Sequence, residues 1–471
     1  MSKKTLKYQL LFTCILISHW TYGQMDSLSL RFETGITAGS GENLPFWLQT
    51  NRFGMVSNDL TQVYGRIKIE NAMNSENNFS LYYGLSLAGI LNSNSDLYFE
   101  EYYAGIKFHF LKLEAGAKRK YFRDYHHNLG SGDMIWSGNA RPIPQITIST
   151  HDYTKVPFTS GWLTFDGGIS HGWMDDFPGI EDVLLHHKWL SLKTGNNIPI
   201  QFTAGLQHFA QWGGYSEYFG EMPVSPEIFW KVLLAKGGAD EYPENEQINA
   251  IGNHIGSYHL ALDYHFDDFS IGITWQNIFE DNSGRKLRNW PDGLYSLELK
   301  TKNKEKWLNG IVLEYLASAY QSGPIIIDTV NNIPYTGGDN YFRNYIYQMG
   351  WTSHQRTIGT PFISSPAFYS DEGEPMQIIN NRVNAIHLGL SGDMGFFNYI
   401  ILISNTINKG TYADEFEPHS RDMMLLLNLW KEDLLLKNSV LQLDIGIDRG
   451  DFYGNNFGLM LRWMKKLGLN E

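Results

Sequence analysis

The residues best suited to ligand binding are aromatic and planar polar side chains concentrated in two segments. The first segment contains Tyr121, Arg123, Asp124, Tyr125, His126, His127 and Asn128, and the second places Trp212 beside Gly213 and Gly214. Sugars present apolar C–H faces and rings of hydroxyl groups, so sugar sites use aromatic platforms and side chains with several hydrogen-bonding groups. Both segments are compatible with saccharide binding. Loop aromatics more often mark a membrane interface, so both interpretations stay open here.

Sequence motifs for catalysis or metal binding are weak. Gly168-Ile169-Ser170-His171-Gly172 matches the G-x-S-x-G string of serine hydrolases, but it continues an alternating strand pattern, whereas that motif requires a sharp strand-to-helix turn. The pairs His126-His127 and His186-His187 are adjacent, and neighbours on a strand point to opposite faces. Neither pair has a carboxylate at a recognised zinc spacing. We therefore expect no catalytic residues, no metal and no cofactor.

The amino-terminal segment predicts export from the cytoplasm. Three lysines precede an apolar run at residues 10–17, and a small residue, Gly23, precedes Gln24. The sequence therefore predicts that residues 1–23 are a cleaved signal and that residues 24–471 form a single domain.

The composition excludes several classes of protein. Charged residues are 18% of the chain, and mean hydropathy is −0.31, so the apolar residues are not gathered into membrane-spanning helices. Lys plus Arg number 37 against 50 Asp plus Glu, which argues against nucleic acid as a partner. Cys14 is the only cysteine and would leave with the signal, which excludes disulfides and thiolate chemistry.

The elements that must position these residues are strands. Apolar Tyr258, Leu260, Leu262, Tyr264 and Phe266 alternate with Ser257, His259, Ala261, Asp263 and His265. The same period recurs at residues 101–110, 111–118, 269–276, 386–391, 441–448 and 456–463. Aromatic residues concentrate at the strand ends, as in the girdles of a membrane barrel, and the polar face suits a wet lumen. An exported β-sandwich or solenoid is the alternative, since its sheets alternate in the same way.

We therefore expect an all-β fold, a transmembrane antiparallel β-barrel of about 16–18 strands with short helical plug or loop elements, in the outer membrane. Short turns are predicted at Phe110-Leu111, Asp267-Asp268 and Gly392-Asp393. Long loops are predicted at about residues 121–145, 213–256, 325–345 and 352–382. Ser225 is a helix N-cap followed by Pro226, so we expect a helix over residues 226–236 that packs against the barrel as a plug or cap.

Four local strings resemble those of the Wzi-type capsule assembly family. They are Gly138-Asn139-Ala140-Arg141-Pro142-Ile143-Pro144-Gln145, His186-His187-Lys188, Leu206-Gln207-His208-Phe209-Ala210-Gln211-Trp212-Gly213-Gly214 and Gly252-Asn253-His254-Ile255-Gly256. The resemblance covers nearly the whole mature chain. It implies a barrel of about eighteen strands with short helices as a plug, acting as a lectin-like anchor for capsular polysaccharide.

Three functions follow as hypotheses. The first is a monomeric outer-membrane protein that binds and anchors or organises capsular or surface polysaccharide. The second is a saccharide porin or channel. The third, a distant alternative, is an outer-membrane hydrolase. The candidate ligand-binding residues are Tyr121, Arg123, Asp124, Tyr125, His126, His127, Arg141, Gln207, His208, Trp212, Asn253 and His254. A blocked lumen favours the anchor over the porin. Arg141 between Gly138 and Pro144 is also open to a purely structural role.

Overall fold

The computed structural model describes residues 28–74, 79–121, 128–195, 198–237, 250–324, 326–328, 333–368 and 377–468. The predicted signal at residues 1–23 lies outside this part of the chain and stays a prediction. Of the candidate site residues, Arg123, Asp124, Tyr125, His126 and His127 also lie outside the described residues.

The described chain forms a closed antiparallel barrel of eighteen strands, as the alternation predicts. Each strand pairs with its neighbours in sequence, and the first strand pairs with the last from Ser29 opposite Gly468 to Ser40 opposite Phe457. In chain order the strands are β1 Ser29–Ser40, β2 Gln62–Asn74, β3 Phe79–Leu91, β4 Asp96–Phe108, β5 Leu111–Ala117, β6 Gln145–Thr150, β7 Leu163–Trp173, β8 Leu184–Thr194, β9 Ile200–Trp212, β10 Asn253–His265, β11 Phe269–Phe279, β12 Gly293–Thr301, β13 Gly310–Ala317, β14 Val383–Asp393, β15 Asn398–Gly410, β16 Glu415–Glu432, β17 Ser439–Gly450 and β18 Asn456–Gly468.

The apolar face of the strands points outwards. The exposed outward side chains form a band of leucine, isoleucine and phenylalanine that includes Ile67, Leu85, Leu190, Phe202, Leu206, Leu260, Leu262, Ile273, Leu297, Leu313, Ile386 and Leu461. A solvated protein surface rarely carries so continuous an apolar belt, whereas a barrel in a bilayer requires one. Among the described residues no helix has the length and apolar character needed to cross a membrane.

Connections at the two rims differ greatly in length. At one rim, which we call the periplasmic rim, the chain turns within residues 109–110, 266–268 and 394–397. The predicted turns at Phe110-Leu111 and Asp267-Asp268 are confirmed within a residue, whereas Gly392 and Asp393 still belong to β14 because its ladder with β15 continues to Asn398. All four predicted long loops belong to connections at the opposite, extracellular rim, as predicted.

Irregular segments fill the lumen from the extracellular rim. We call residues 44–56, 129–144 and 339–365 the plug, which includes the one-turn helix α1 Phe46–Gln49. Its apolar side chains form one buried core with the upper barrel wall, including Leu44, Phe46, Trp47, Met134, Ile135, Trp136, Phe209, Tyr341, Phe342, Trp351 and Phe362. One short strand pair, Thr352–Ser353 with Arg356–Thr357, and turns build the plug, and side chains such as Asn139, which donates to Thr357 O at 3.1 Å, satisfy its buried backbone groups.

The predicted helix lies in a different place from the plug. Helix α2, Pro226–Leu233, begins as expected, with Ser225 Oγ accepting a hydrogen bond from Ile228 N at 3.2 Å. It ends three residues before the predicted Lys236. The ring of Phe229 contacts His171, His186 and Trp212, whose side chains share the outward face with Leu190 and Leu206. Helix α2 therefore packs against the barrel as expected, but it lies on the outer wall, so it is not the plug.

The remaining short elements lie in the connections between the barrel strands, and one pair belongs to the plug. They are helix α3 Asn282–Arg285, the 3-10 turn Pro366–Phe368 and the two- to four-residue strands Thr154–Lys155, Ile180–Glu181, Tyr215–Ser216, Gly220–Glu221, Ile326–Asp328, Ile333–Thr336, Thr352–Ser353 and Arg356–Thr357.

Candidate functional site

Polar side chains of the barrel wall hold the plug in the lumen. Gln207, one of the candidate site residues, donates to Ser257 Oγ at 3.2 Å, and Gln276 donates to the same hydroxyl and to Asp133 of the plug. Asn253 donates to Gln211 Oε1 at 2.7 Å. Gln207 and Asn253 are both buried where the barrel wall meets the plug. We therefore interpret them as structural residues that support the plug.

Two arginines of the plug form charged contacts in the interior of the barrel. Arg52 of the plug pairs with Asp444 of β17 at 3.1 Å, and Arg462 of β18 reaches the same carboxylate. Arg356 donates to the carbonyl oxygen of Val56 at 2.6 Å, and burial lowers the pKa of Arg356 to about 10. The guanidinium is still protonated at neutral pH, so it ties two plug segments together by charge-assisted hydrogen bonds.

The candidate residues on the outward face form a buried cluster beneath helix α2. His208 and His254 lie on neighbouring strands with their ring nitrogens 3.0 Å apart, and Trp212 packs against Phe229 of the helix. The strand register places these side chains on the outward face, which they share with Leu206 and Leu260. The described parts of the connection between β9 and β10 instead pack against this cluster, with Phe229 of helix α2 on Trp212 and the carbonyl oxygen of Ile251 on His254, so the three side chains are buried away from the bilayer and the lumen.

Two candidate residues, Tyr121 and Arg141, are more exposed to solvent than the other described candidates. Tyr121 is exposed over nearly half of its surface and packs its ring against Phe53 of the plug at 5.5 Å. Arg141 stacks over the ring of Tyr98 at 3.5 Å and pairs with Asp96 at 2.9 Å. Arg141 thus fastens the plug to the start of β4, in agreement with its structural interpretation.

A cleft at the extracellular rim brings together residues that the sequence analysis does not single out. Its lining includes Arg343, Asn344, Tyr345, Gln348 and Gln377, around a cavity of about 170 Å³. Arg343 Nη2 donates to Gln377 Oε1 at 2.6 Å, and the half-exposed Tyr345 ring meets Phe219 of the next long loop at 5.3 Å. The cleft therefore lies where two extracellular loops meet. The run of Tyr, Arg, Asn and Gln at residues 341–348 was the available signal.

The cleft has the chemistry of a sugar subsite. A guanidinium and three amides offer donors and acceptors for hydroxyl groups, and a tyrosine ring offers an apolar face. Asn344 is held in place because its Oδ1 accepts from the backbone nitrogens of Ile346 at 2.9 Å and Tyr347 at 3.0 Å. The site is preorganised to that extent before any ligand arrives.

The G-x-S-x-G string at residues 168–172 lies inside strand β7 and does not form the strand-to-helix turn of a nucleophile elbow. Ser170 is buried on the lumen face and donates to Gln145 Oε1 at 2.7 Å, whereas His171 points to the outer wall. The two therefore do not form a nucleophile and base pair with each other. Within the described residues no group of three or more His, Cys, Asp or Glu is placed to hold a metal ion.

Comparisons with known proteins support the fold. No family model matches the chain, and no curated protein sequence matches it. Among solved structures, the chain is similar to Wzi, a carbohydrate-binding outer-membrane barrel involved in group 1 capsule assembly in Escherichia coli, with 12% identity, 97% of this chain and 87% of that chain covered, and a TM-score of 0.58. It is also similar to OpdL of Pseudomonas aeruginosa, at 8% identity, 94% and 98% coverage and a TM-score of 0.49. At 12% identity the likeness to Wzi is one of fold, and with the closed barrel and its apolar belt it identifies the chain as an outer-membrane β-barrel.

Proposed function

We propose that this outer-membrane barrel binds a surface polysaccharide at its extracellular rim and so anchors or organises a capsule as a monomer. The observation that carries the proposal is the combination of a plugged upper lumen with a cleft of Arg343, three amides and Tyr345 left at the rim. A lumen packed with aromatic and aliphatic side chains favours surface binding over transport.

The likeness to Wzi supports the same ligand class. That protein is described as a carbohydrate-binding barrel in capsule assembly, and the likeness extends over nearly the whole chain. The predicted ligand-binding role of Arg123, Asp124, Tyr125, His126 and His127 stays a prediction. For the buried Gln207, His208, Trp212, Asn253 and His254 we propose a positioning role, because they hold the plug and the covering loop beneath the rim.

A saccharide channel is the alternative function, and the plug separates the two hypotheses. We expect an anchor to conduct poorly because Trp351, Phe362 and their neighbours form a buried core in the upper lumen. Single-channel recordings of the purified protein in planar bilayers should show no porin-sized conductance steps. Stable steps that are blocked by oligosaccharide would favour the channel.

The binding function is tested in cells that make the polymer. Deleting the protein should leave polymer export intact and shift the polymer from the cell to the medium, since binding rather than synthesis is lost. The variants Tyr345→Ala, Gln348→Ala and Tyr125→Ala should reproduce part of that shift, at roughly 1–3 kcal/mol for each lost contact.

The matched control is an exposed aromatic residue at the opposite rim. Phe396 lies in the periplasmic turn at residues 394–397, so Phe396→Ala removes a ring without touching the cleft. Barrel level in the membrane is measured in parallel. Full retention of the polymer by the cleft variants, at normal barrel level, would remove the cleft from the mechanism.

A further inference from the structure

A second cavity opens at the periplasmic rim and differs from the extracellular cleft in charge and position. Its volume is about 440 Å³, and its lining includes Tyr82, Tyr103, Lys107, Lys112, Lys118 and Lys466. These residues lie on the lumen face of β3, β4, β5 and β18 or directly after β5, below the plug. We call this cavity the basic vestibule. The size falls in the range of sites for small molecules.

Two tyrosine rings form the fixed wall of the basic vestibule. The ring of Tyr82 lies over Gly105 and the ring of Tyr103 lies over Gly84, and a Cβ at either glycine would overlap the ring. Both rings are buried, and the hydroxyl of Tyr82 donates to Glu114 at 2.9 Å. The two glycines thus allow the rings to lie flat against the barrel wall and leave the lumen in front of them open.

Lysine ammonium groups stand in front of these rings. Lys118 Nζ is 4.9 Å from the ring centre of Tyr82 and 4.5 Å from that of Tyr103. Lys107 Nζ is 5.6 Å from the Tyr82 ring and 2.8 Å from a ring nitrogen of His151. The negative ring faces attract both ammonium groups, and Lys118 is also paired with the buried Glu114 at 3.2 Å.

The charge of the basic vestibule is unbalanced. Four lysines and one carboxylate, Glu70, line it. Glu70 is already paired with Arg31 at 2.8 Å and Lys68 at 3.1 Å, and the pairing of Lys118 with Glu114 leaves three lysines without a carboxylate. Within the described chain no carboxylate lies within 4.0 Å of Lys107, Lys112 or Lys466, although Asp152 is paired with His151 at the edge.

The excess of positive charge in the basic vestibule contrasts with the negative net charge of the whole chain. Lys107 and Lys112 stand directly opposite each other on one face of the sheet, an arrangement that destabilises a sheet. The chain as a whole carries a formal charge of −13. A local excess of cations, kept at a cost in stability, is typical of a site for an anion.

We propose that the basic vestibule binds an acidic sugar unit from the periplasmic side, its oxyanion held by Lys107, Lys112 and Lys466 and its hydroxyl groups by the surrounding polar wall. The oxyanion is a uronic acid carboxylate or a sugar phosphate, which share this chemistry. The site is separate from the extracellular cleft and does not depend on the proposed function of that cleft.

Calorimetric titration of the detergent-purified full-length protein tests the site with three probes: digalacturonic acid, neutral galactobiose and inorganic phosphate. Digalacturonic acid should bind, with an affinity that falls steeply as salt rises, and galactobiose should not bind. The double variant Lys112→Gln/Lys466→Gln should weaken binding by about tenfold or more, and Lys112→Arg/Lys466→Arg should restore most of it.

Two control variants separate this site from its surroundings. Lys304→Gln removes an exposed lysine at the same rim, in the connection between β12 and β13, and should leave the affinity within about twofold. Tyr345→Ala in the extracellular cleft should also leave it unchanged. Equal affinity of the double variant and the parent protein would overturn the site, and binding of phosphate as tight as that of digalacturonic acid would overturn the sugar assignment.

Discussion

Replacing Leu262 by arginine tests which face of the barrel meets lipid. Leu262 is 47% exposed on the outward face of β10, and it lies midway along the chain between Tyr258 and Phe266, the aromatic residues that border the apolar band. The substitution therefore places a cation near the centre of the hydrocarbon. At the bilayer midplane this costs about 2–4 kcal/mol, which lowers the folding equilibrium constant roughly 30- to 700-fold.

Two matched variants isolate the effect of the lipid. Leu262→Ala measures the loss of the leucine alone, and Ala261→Arg puts the same cation on the lumen face, between Thr203 and Thr274 and two residues from Asp263. The arginine at position 261 enters a polar lumen, so we expect a loss of about 1 kcal/mol or less.

Each variant is folded into phosphatidylcholine vesicles and unfolded at equilibrium with guanidinium chloride. Tryptophan fluorescence reports the folded fraction. The reasoning is refuted if the two arginine variants lose the same free energy of unfolding. It also fails if Leu262→Arg costs no more than Leu262→Ala, because the outward face would then not lie in hydrocarbon.

Three further predictions concern the plug and the outer wall. Trp351→Ala empties a fully buried plug position and removes a 2.7 Å hydrogen bond to a backbone carbonyl. It should lower the free energy of thermal unfolding by about 3–5 kcal/mol. Trp307→Ala at the exposed periplasmic rim should leave the unfolding midpoint unchanged. Ser225→Ala removes the N-cap oxygen of α2 and should cost about 1 kcal/mol, seen as faster amide hydrogen exchange in the first turn of α2 while the strands keep their protection. Arg356→Met leaves carbonyl oxygens of the plug without their donor and should cost about 1–3 kcal/mol in the same unfolding assay, and an unchanged midpoint would argue against its role as a tie.

The local period of the sequence was sufficient to predict the barrel. A strand repeats every two residues, so the order of apolar and polar side chains decides which face meets lipid without knowledge of any distant contact. Leu260 and Leu262 face outwards and Ala261 faces the lumen as that period predicts. The predicted short turns and the predicted long loops also lie at opposite rims.

The period fails where an extra residue enters a strand. Glu100 and Glu101 are consecutive, and strict alternation would send one of them into lipid. A bulge opposite the bond between Ser86 and Leu87 lets both carboxylates turn into the lumen, where they meet Arg66, Lys68 and Arg119. The cations come from β2 and from the segment after β5, so the bulge depends on residues distant in sequence.

Only the tertiary structure decided where the irregular segments go. The plug has no period, and its place follows from contacts such as Trp351 with Ile135 and Phe46 with Asp448 of β17, between residues hundreds of positions apart. The same holds for His208 and His254, which share the outward face with Leu206 and Leu260 and are nevertheless buried. Alternation is a property of neighbouring residues and can be read along the chain, whereas burial of a loop depends on which distant surfaces it meets, and no local pattern contains that information.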